Sequence, residues 1–459
     1  MRPYQYCSKE ECTERQELGQ ISELEATLET CRLAQSKRVL DPRIAVRKYR
    51  RSAAGDNGAR SIRSKEELSR TLNHLIQICA TLRSTPDHPP VKSIDTIVGF
   101  VSDRLRACQS DATRLMSDPG TCVPSSWHAR LIRVLVFLRY VYCGMCIADT
   151  AASKNDSARA IDHMRSTAYD AYWSTNPRNI QEDDEMLCLD AISRICIASK
   201  NSATNYAQSL GTSWNGILLE FSKLRRPGFV YPLWNLAARI GSCVQREEYY
   251  TLWKSDHSFG KELPVLAKCI LSGEVLLLWR YRTVQHYNRS FGKSESVTDM
   301  NRLLGIIEST EFGTGWSIEY ANVFGVPVEE AENHDSNSVT KPTKTITMKL
   351  KQVAMPEFND REINAETASM INKSDRRWIF GDDFDDTNDS PSGLSPKTIC
   401  RILDFRDNPS HGADTMTDKP KNNSIDNTGN KQTSHTSTSL SRALAASRAS
   451  DGGQRKKKK

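Results

Sequence analysis

The sequence predicts an all-α solenoid of TPR-like helical repeats, followed by a small α+β winged helix and a disordered C-terminal tail. From residue 65 to residue 290, helix-length segments with apolar residues at helical spacing follow one another through short loops. Strand-like alternation appears only after residue 340, and Ser, Thr, Asn, Asp and Lys dominate beyond residue 390. The predicted domains are an N-terminal helix with a basic strap (1–64), the solenoid (65–290), the winged helix (291–358) and the tail (359–459).

Composition places the chain among soluble intracellular proteins. Its 459 residues carry a net charge of +7, and thirteen Cys residues, an odd number, are typical of a reducing compartment. The chain is polar from residue 2 onward, so no signal peptide is predicted. The most apolar stretch, 131–146, contains Arg133 and Arg139 and is shorter than the ~20 residues of a membrane span, which predicts no membrane insertion.

The first predicted element is one charged amphipathic helix at 10–33. Its sparse apolar face consists of Leu18, Ile21, Leu24 and Leu28. Pro42 and the Ala-Ala-Gly-Asp-Asn-Gly run then separate this helix from the next one.

The solenoid begins with a helix whose N-terminus is marked by Ser64 and Glu67 at the spacing of a capping box. The predicted helices cover 65–82, 93–116, 125–150, 158–172, 183–200, 214–224, 231–244, 247–253 and 263–287. Paired helices with short loops indicate a degenerate solenoid. A generic helical domain is the alternative, since the sequence shows no sharp repeat.

The winged helix is predicted from two short helices, at 297–308 and 317–324, followed by a strand at 344–353. Ile346, Met348 and Leu350 alternate there with polar residues, which is typical of a half-buried strand. In the tail, an acidic and aromatic patch at 378–389 is expected to dock weakly onto a basic surface.

The strongest functional signal is the basic strap, defined here as residues 37–65. It contains ten Lys or Arg residues against only Asp41 and Asp56. A basic, turn-rich segment of this kind suits an extended strap that lies on its own domain or on an anionic partner. Its central residues are Pro42, Val46, Arg47, Tyr49, Arg51, Ser52, Ala53, Ala54 and Gly55.

A second motif lies at 100–115, within the helix predicted at 93–116. Arg104 and Asp111 are seven residues apart and therefore share one helical face, while Arg106 lies on another side. Such residues form intramolecular ion pairs more often than ligand sites, so we expect them to lock the strap to the solenoid.

The two motifs together resemble the SAC3/GANP family, as a short and divergent member. The resemblance implies a PCI-type architecture and a non-enzymatic scaffold subunit of the nuclear mRNA-export machinery, the second transcription-and-export complex. It also implies a PCI-domain protein and a small acidic Sem/DSS-type protein as partners, with RNA binding and nuclear-pore association as further expectations. The alternatives are a centrosome- or spindle-associated short family member and a proteasome-lid or initiation-factor-like PCI scaffold, with a cytoplasmic or centrosomal location.

The predicted winged helix carries the candidate surface for nucleic acid or a partner. Its cations are Arg302, Lys341, Lys344, Lys349 and Lys351. They would contact phosphates without reading sequence. The alternative is that alternating lysines solvate an edge strand. A candidate nuclear signal ends the chain at Arg455, Lys456, Lys457, Lys458 and Lys459, with a solvated tail as the alternative.

No residue pattern predicts an enzyme, a cofactor or a metal site. Cys143 and Cys146 form a lone Cys-x-x-Cys pair without a second pair or His residues at zinc spacing. The acidic run at 382–389 lacks the Gly and the final Glu of a calcium loop. A helical enzyme whose site has no recognised motif is the remaining rival of another class.

Overall fold

A computed structural model describes the greater part of the solenoid and short pieces beyond it. The described residues are 6–50, 62–117, 122–143, 152–201, 206–252, 262–272, 274–290, 294–296, 304, 328–332, 344–349, 376, 379–380, 383–384 and 393–403. All of them belong to a compact unit of residues 1–408.

One N-terminal helix and the helices of the solenoid follow the order that the sequence predicts. They are α1 (Lys9–Glu17), α2 (Lys65–Thr81), α3 (Ile94–Met116), α4 (Ser125–Phe137), α5 (Ala152–Ser174), α6 (Ile180–Asn201), α7 (Tyr206–Leu224), α8 (Pro232–Gln245), α9 (Val265–Leu271) and α10 (Glu274–Ser290). Sequential neighbours pack in pairs, α2 on α3, α4 on α5 and α6 on α7, and α6 also packs on α8 and α9. The described residues are thus mostly helical, which is consistent with the predicted all-α solenoid.

Helix α4 lies at the centre of the hydrophobic core. Leu131, Ile132, Val134, Leu135 and Phe137 all have no exposed surface. Helix α4 is covered by α2, α5, α6 and α9, and its buried Arg133 donates to Glu185 of α6 (3.0 Å). The helix predicted at 125–150 ends at Phe137, where one π-helical turn (Leu138–Tyr142) follows; residues 144–151 lie outside the described part.

The predicted N-terminal helix at 10–33 is wrong beyond residue 17. Gly19 adopts a φ of 62°, which ends α1, and the chain continues in turns to residue 40. The turns bury Ile21 and Leu24, whereas Leu18 and Leu28 remain at least half exposed. A single helix would have placed all four side chains on one face, so tertiary packing decides the shape of this segment.

Two shorter corrections concern the end of the solenoid. The helix predicted at 247–253 is a 3-10 turn (Tyr249–Leu252) after Glu247 with a φ of 58°. The helix predicted at 263–287 is two helices, α9 and α10, because Ser272 is extended and ends α9. The predicted helices at 297–308 and 317–324 lie outside the described residues, apart from Leu304, which is helical and buried.

Three strands form a small antiparallel sheet. They are β1 (Ser294–Ser296), β2 (Val328–Glu332) and β3 (Lys344–Lys349). The order is β1-β3-β2, with Ser294 opposite Lys349 and Glu332 opposite Lys344. The strand predicted at 344–353 therefore lies in the middle of the described sheet, and the interpretation of its lysines as edge-strand solvation is wrong.

Part of the predicted disordered tail is ordered. Helix α11 (Pro396–Leu403) packs on α2 and α4, and Leu394, Ile399 and Leu403 are completely buried. Ser395 caps the helix, since its Oγ accepts a hydrogen bond from the backbone N–H of Thr398 (3.1 Å). The prediction that the whole of 359–459 is disordered is therefore wrong for this segment, whose few apolar residues are concentrated on one helical face. Residues 404–459 lie outside the described part.

Candidate functional site

The first half of the strap lies on its own domain. Tyr6 pairs with Val46 in a parallel bridge, and the Arg47 N–H donates to the Tyr6 carbonyl at 3.1 Å. Ile44, Ala45 and Val46 have at most 2% of their surface exposed. Pro42 is half-buried and begins this stretch directly after Asp41. The apolar residues of the strap are therefore buried, while Arg43, Arg47 and Arg50 pair with carboxylates.

Glu25 is the centre of the first ionic cluster and is completely buried. Its Oε2 accepts a hydrogen bond from Arg104 Nη2 (2.8 Å), and its Oε1 accepts from Arg15 Nη1 (3.2 Å). The Val46 N–H donates to Oε1 at 2.9 Å, and Arg15 Nη1 also donates to the Val46 carbonyl at 3.1 Å. One carboxylate thus joins α1, α3 and the strap.

The ionisation of Glu25 depends on these partners. Burial opposes the charge, but the guanidinium groups of Arg104 and Arg15 outweigh burial and lower the pKa of the Glu25 carboxyl below its usual value. Glu25 is therefore charged at neutral pH and neutralises the buried Arg15, while Arg104 pairs with both Glu25 and Asp103.

Asp111 is the centre of the second cluster. Its Oδ2 accepts from Arg47 Nη1 (3.0 Å) and from Arg63 Nε (2.7 Å). Arg47 precedes and Arg63 follows residues 51–61, which lie outside the described part. The two ends of that stretch are thus joined to the same carboxylate of α3. Asp111 therefore contacts the strap directly, whereas Arg104, two turns earlier on α3, is linked to it through Glu25, which accepts a hydrogen bond from the Val46 N–H.

Tyr49 marks a third contact. Its backbone N–H donates to Asp103 Oδ2 (3.2 Å), and the Arg106 guanidinium lies 5.1 Å from the centroid of the Tyr49 ring. This cation–π contact gives Arg106 a role on the flank of α3, apart from Arg104 and Asp111. Strap residues also reach α1, where Glu11 accepts from the Lys48 N–H (2.8 Å).

Sequence reasoning identified both members of the Arg47–Asp111 pair and missed several other members of the two clusters. The residues it missed are Glu11, Arg15, Glu25, Arg63 and Asp103. Glu25 lies 79 positions from Arg104 in sequence, so no local spacing connects the two residues. The only available signal was the excess of arginines in the strap, each of which needs a carboxylate if it is buried.

Other predicted site residues lie outside the described part of the chain. These are Arg51, Ser52, Gly55, Arg302, Lys341, Lys351 and the basic end at Arg455, Lys456, Lys457, Lys458 and Lys459. Lys344 and Lys349 are the first and last residues of β3.

The described residues contain no group of three or more His, Cys, Asp or Glu side chains that could hold a metal ion. Within the same residues, every helix is too short or too polar to span a bilayer. The role of the two clusters is electrostatic. Two buried carboxylates, each shared by two arginines, hold the strap on the first helices of the solenoid.

Comparison with known protein families decides the classification. The sequence matches the SAC3/GANP family over residues 6–315 of its 459. The chain belongs to the SAC3/GANP family. The match begins at Tyr6, which pairs with the strap, and includes both ionic clusters and helices α1 to α10. Helix α11 lies beyond the matched region of this SAC3/GANP protein. A search of curated proteins found no match to this sequence.

Proposed function

We propose that this SAC3/GANP protein is a non-enzymatic scaffold subunit of an mRNA-export complex in the nucleus. The observation that carries the proposal is the attachment of the strap to α3. Residues of the family-like motifs, Arg47, Arg104 and Asp111, form the buried ionic clusters there. Such clusters give the first solenoid helices one fixed surface, which suits a scaffold that binds other proteins. Membership of the SAC3/GANP family supports the same role.

The proposed partner surface is a winged helix at 291–358. The antiparallel sheet with β3 between β1 and β2 supports it, because a winged helix ends in a strand hairpin that pairs with a preceding strand. By family resemblance, this element lies beside the winged helix of a PCI-domain partner. The cations Arg302, Lys341, Lys344, Lys349 and Lys351 would contact that partner or the RNA backbone.

Further partners and the location follow from the same proposal. A small acidic Sem/DSS-type protein would stabilise the assembly, and association with the nuclear pore is a further expectation from the family resemblance. The basic end at 455–459 would provide nuclear import. The alternatives, a centrosomal short family member or a proteasome-lid or initiation-factor-like subunit, predict different co-purifying proteins.

The first experiment is affinity purification of the tagged chain from native nuclear extract, with mass spectrometry of stoichiometric partners. We expect a PCI-domain protein and a small acidic protein. Both should be lost in the charge reversal of Arg302, Lys349 and Lys351 to Glu. Lys223→Glu on the exposed surface of α7 is the matched control and should retain both. Recovery of proteasome, initiation-factor or centrosomal subunits instead would contradict the proposal.

RNA binding has its own test. Fluorescence anisotropy with single-stranded RNA should show affinity that falls steeply between about 50 and 200 mM salt, with a slope of about 0.7 per phosphate contact. The triple charge reversal should reduce both the affinity and the slope, whereas Lys223→Glu should change neither. An unchanged slope in the triple variant would place RNA binding elsewhere.

A further inference from the structure

Helix α11 covers a surface that belongs to the beginning of the solenoid. It packs on α2 and α4, and Gln77 of α2 donates from Nε2 to Cys400 Sγ (3.5 Å) across 323 positions of sequence. The family match ends at residue 315, so α11 lies outside the matched region and packs on helices inside it. The covered surface is thus a groove already filled by a short helix of the same chain.

The contact is apolar. Leu394, Ile399 and Leu403 have no exposed surface and join the core of the solenoid, and Cys400 and Ile402 pack against it half-buried. Upstream of α11, Ile379 and Phe380 are also buried, at 2% and 6% exposure. The segment therefore holds by the burial of a few side chains on one face of an eight-residue helix.

Two polar side-chain contacts of α11 involve Arg401 and Cys400. Arg401 pairs with Asp383, which belongs to the same C-terminal part of the chain, and the Gln77–Cys400 contact is long and involves sulfur. No buried ion pair joins α11 to α2 or α4 within the described residues. Opening this contact leaves no unpaired buried charge behind, in contrast to the strap.

Helix α11 is also too short to be stable by itself. Isolated helices below about 12–15 residues are marginal in water, so these eight residues are helical because they are docked. Undocking and unfolding of α11 are then one local event, separate from the unfolding of α2 and α4.

We propose that the α2/α4 surface is a docking groove for short amphipathic helices, occupied in cis by residues 394–403 and exchangeable for a helix of a partner protein. We expect the partner helix to share the sequence pattern of residues 394–403. That pattern is a Ser at the N-cap, a Pro at the first helical position, and apolar residues that correspond to Leu394, Ile399 and Leu403. The groove is distinct from the proposed winged-helix surface and does not depend on it.

The test uses the full chain and a labelled peptide of residues 391–406. In the variant that combines Ile399→Asp and Leu403→Asp, the cis helix cannot dock and the groove is vacant. Because the wild-type groove is already occupied by a tethered competitor, we expect the peptide to bind the variant at least about tenfold more tightly than wild type. Lys397→Asp, an exposed position of α11, is the matched control and should bind as wild type does.

A folded double variant, judged by its helical circular dichroism and a cooperative melt, that binds the peptide no better than wild type would overturn the proposal. Hydrogen exchange of the wild-type chain provides a test that needs no variant. The amides of α11 should exchange at least about tenfold faster than the core amides of α2, since α11 opens locally. Equal rates in the two helices would show that α11 opens only when the whole solenoid unfolds, and would also overturn the proposal.

Discussion

The strap and helix α11 lie on the first helices of the same solenoid and are held by opposite means. The strap is held by two buried carboxylates, Glu25 and Asp111, each shared by two arginines. Helix α11 is held by apolar side chains on one helical face. Removal of one member of a buried ionic cluster leaves an uncompensated charge, whereas removal of an apolar contact costs in proportion to the buried area. We therefore expect the strap to behave as a permanent part of the fold and α11 as a segment that opens.

The largest effect is expected from Glu25→Gln. Among the described residues, the variant removes the only carboxylate that pairs with the buried Arg15 and leaves Arg104 with Asp103 alone. Breaking a buried pair costs about 3–5 kcal/mol. Urea denaturation of the purified chain measures this loss in the free energy of unfolding. The control is Glu29→Gln, an exposed position in the same segment, which should change stability by less than about 0.5 kcal/mol. A similarly small effect of Glu25→Gln would refute the central role of this carboxylate.

Asp111→Asn tests the second cluster. Arg47 retains Glu11 at 3.8 Å, whereas Arg63 loses its carboxylate, so we expect a smaller loss of about 2–3 kcal/mol. Because Arg47 and Arg63 flank residues 51–61, limited proteolysis should also cut that stretch faster in the variant than in wild type. Asp87→Asn, in an exposed loop, is the control for both measurements. Unchanged cleavage would separate the ion pairs from the placement of the stretch.

Protonation of a buried histidine at low pH tests the cost of a charge in the apolar part of the solenoid. His128 of α4 is 1% exposed, and burial lowers its pKa to about 4. The unfolded chain, with a histidine pKa of about 6.5, binds the proton first, so stability falls as the pH drops from about 6.5 to 4. At pH 5 the linkage costs about 2 kcal/mol relative to neutral pH.

Urea midpoints at pH 7 and pH 5 measure this dependence. His128→Phe should remove the contribution of one histidine and leave the remaining pH dependence, including that of His74, whose pKa is also lowered to about 4 by burial. An equal pH dependence in the variant and wild type would show that the pKa of His128 is the same in the folded and the unfolded chain, and would contradict the prediction.

The smallest effect on global stability is expected from Leu403→Ala in α11. The side chain is fully buried, but the loss cannot exceed the free energy with which the segment docks, so we expect about 1–2 kcal/mol or less. Hydrogen exchange should become faster in α11 alone. Ile402→Ala, a half-buried neighbour, should have a weaker effect in the same experiment. Faster exchange throughout α2 and α4 would instead make α11 a cooperative part of the solenoid.

Much of the helical fold was predictable because its signals are local. Helix α2 begins at its predicted residue, since the Ser64–Glu67 capping box satisfies backbone groups within one turn. Helix α3 is likewise capped by Ser93. The strap motif and the helical face that Arg104 shares with Asp111 were also visible in the sequence, and the Arg47–Asp111 pair joins the two motifs.

Three features were decided only by tertiary structure. The segment at 18–40 turns rather than continuing a helix, because Ile21 and Leu24 are buried while Leu18 and Leu28 are not. Glu25 becomes the partner of Arg104 through a fold that brings together residues 79 positions apart, and a charge pattern alone does not specify which carboxylate meets which arginine. Helix α11 exists because α2 and α4 cover its apolar face. In each case the energy comes from burial against distant residues, which local spacing does not encode.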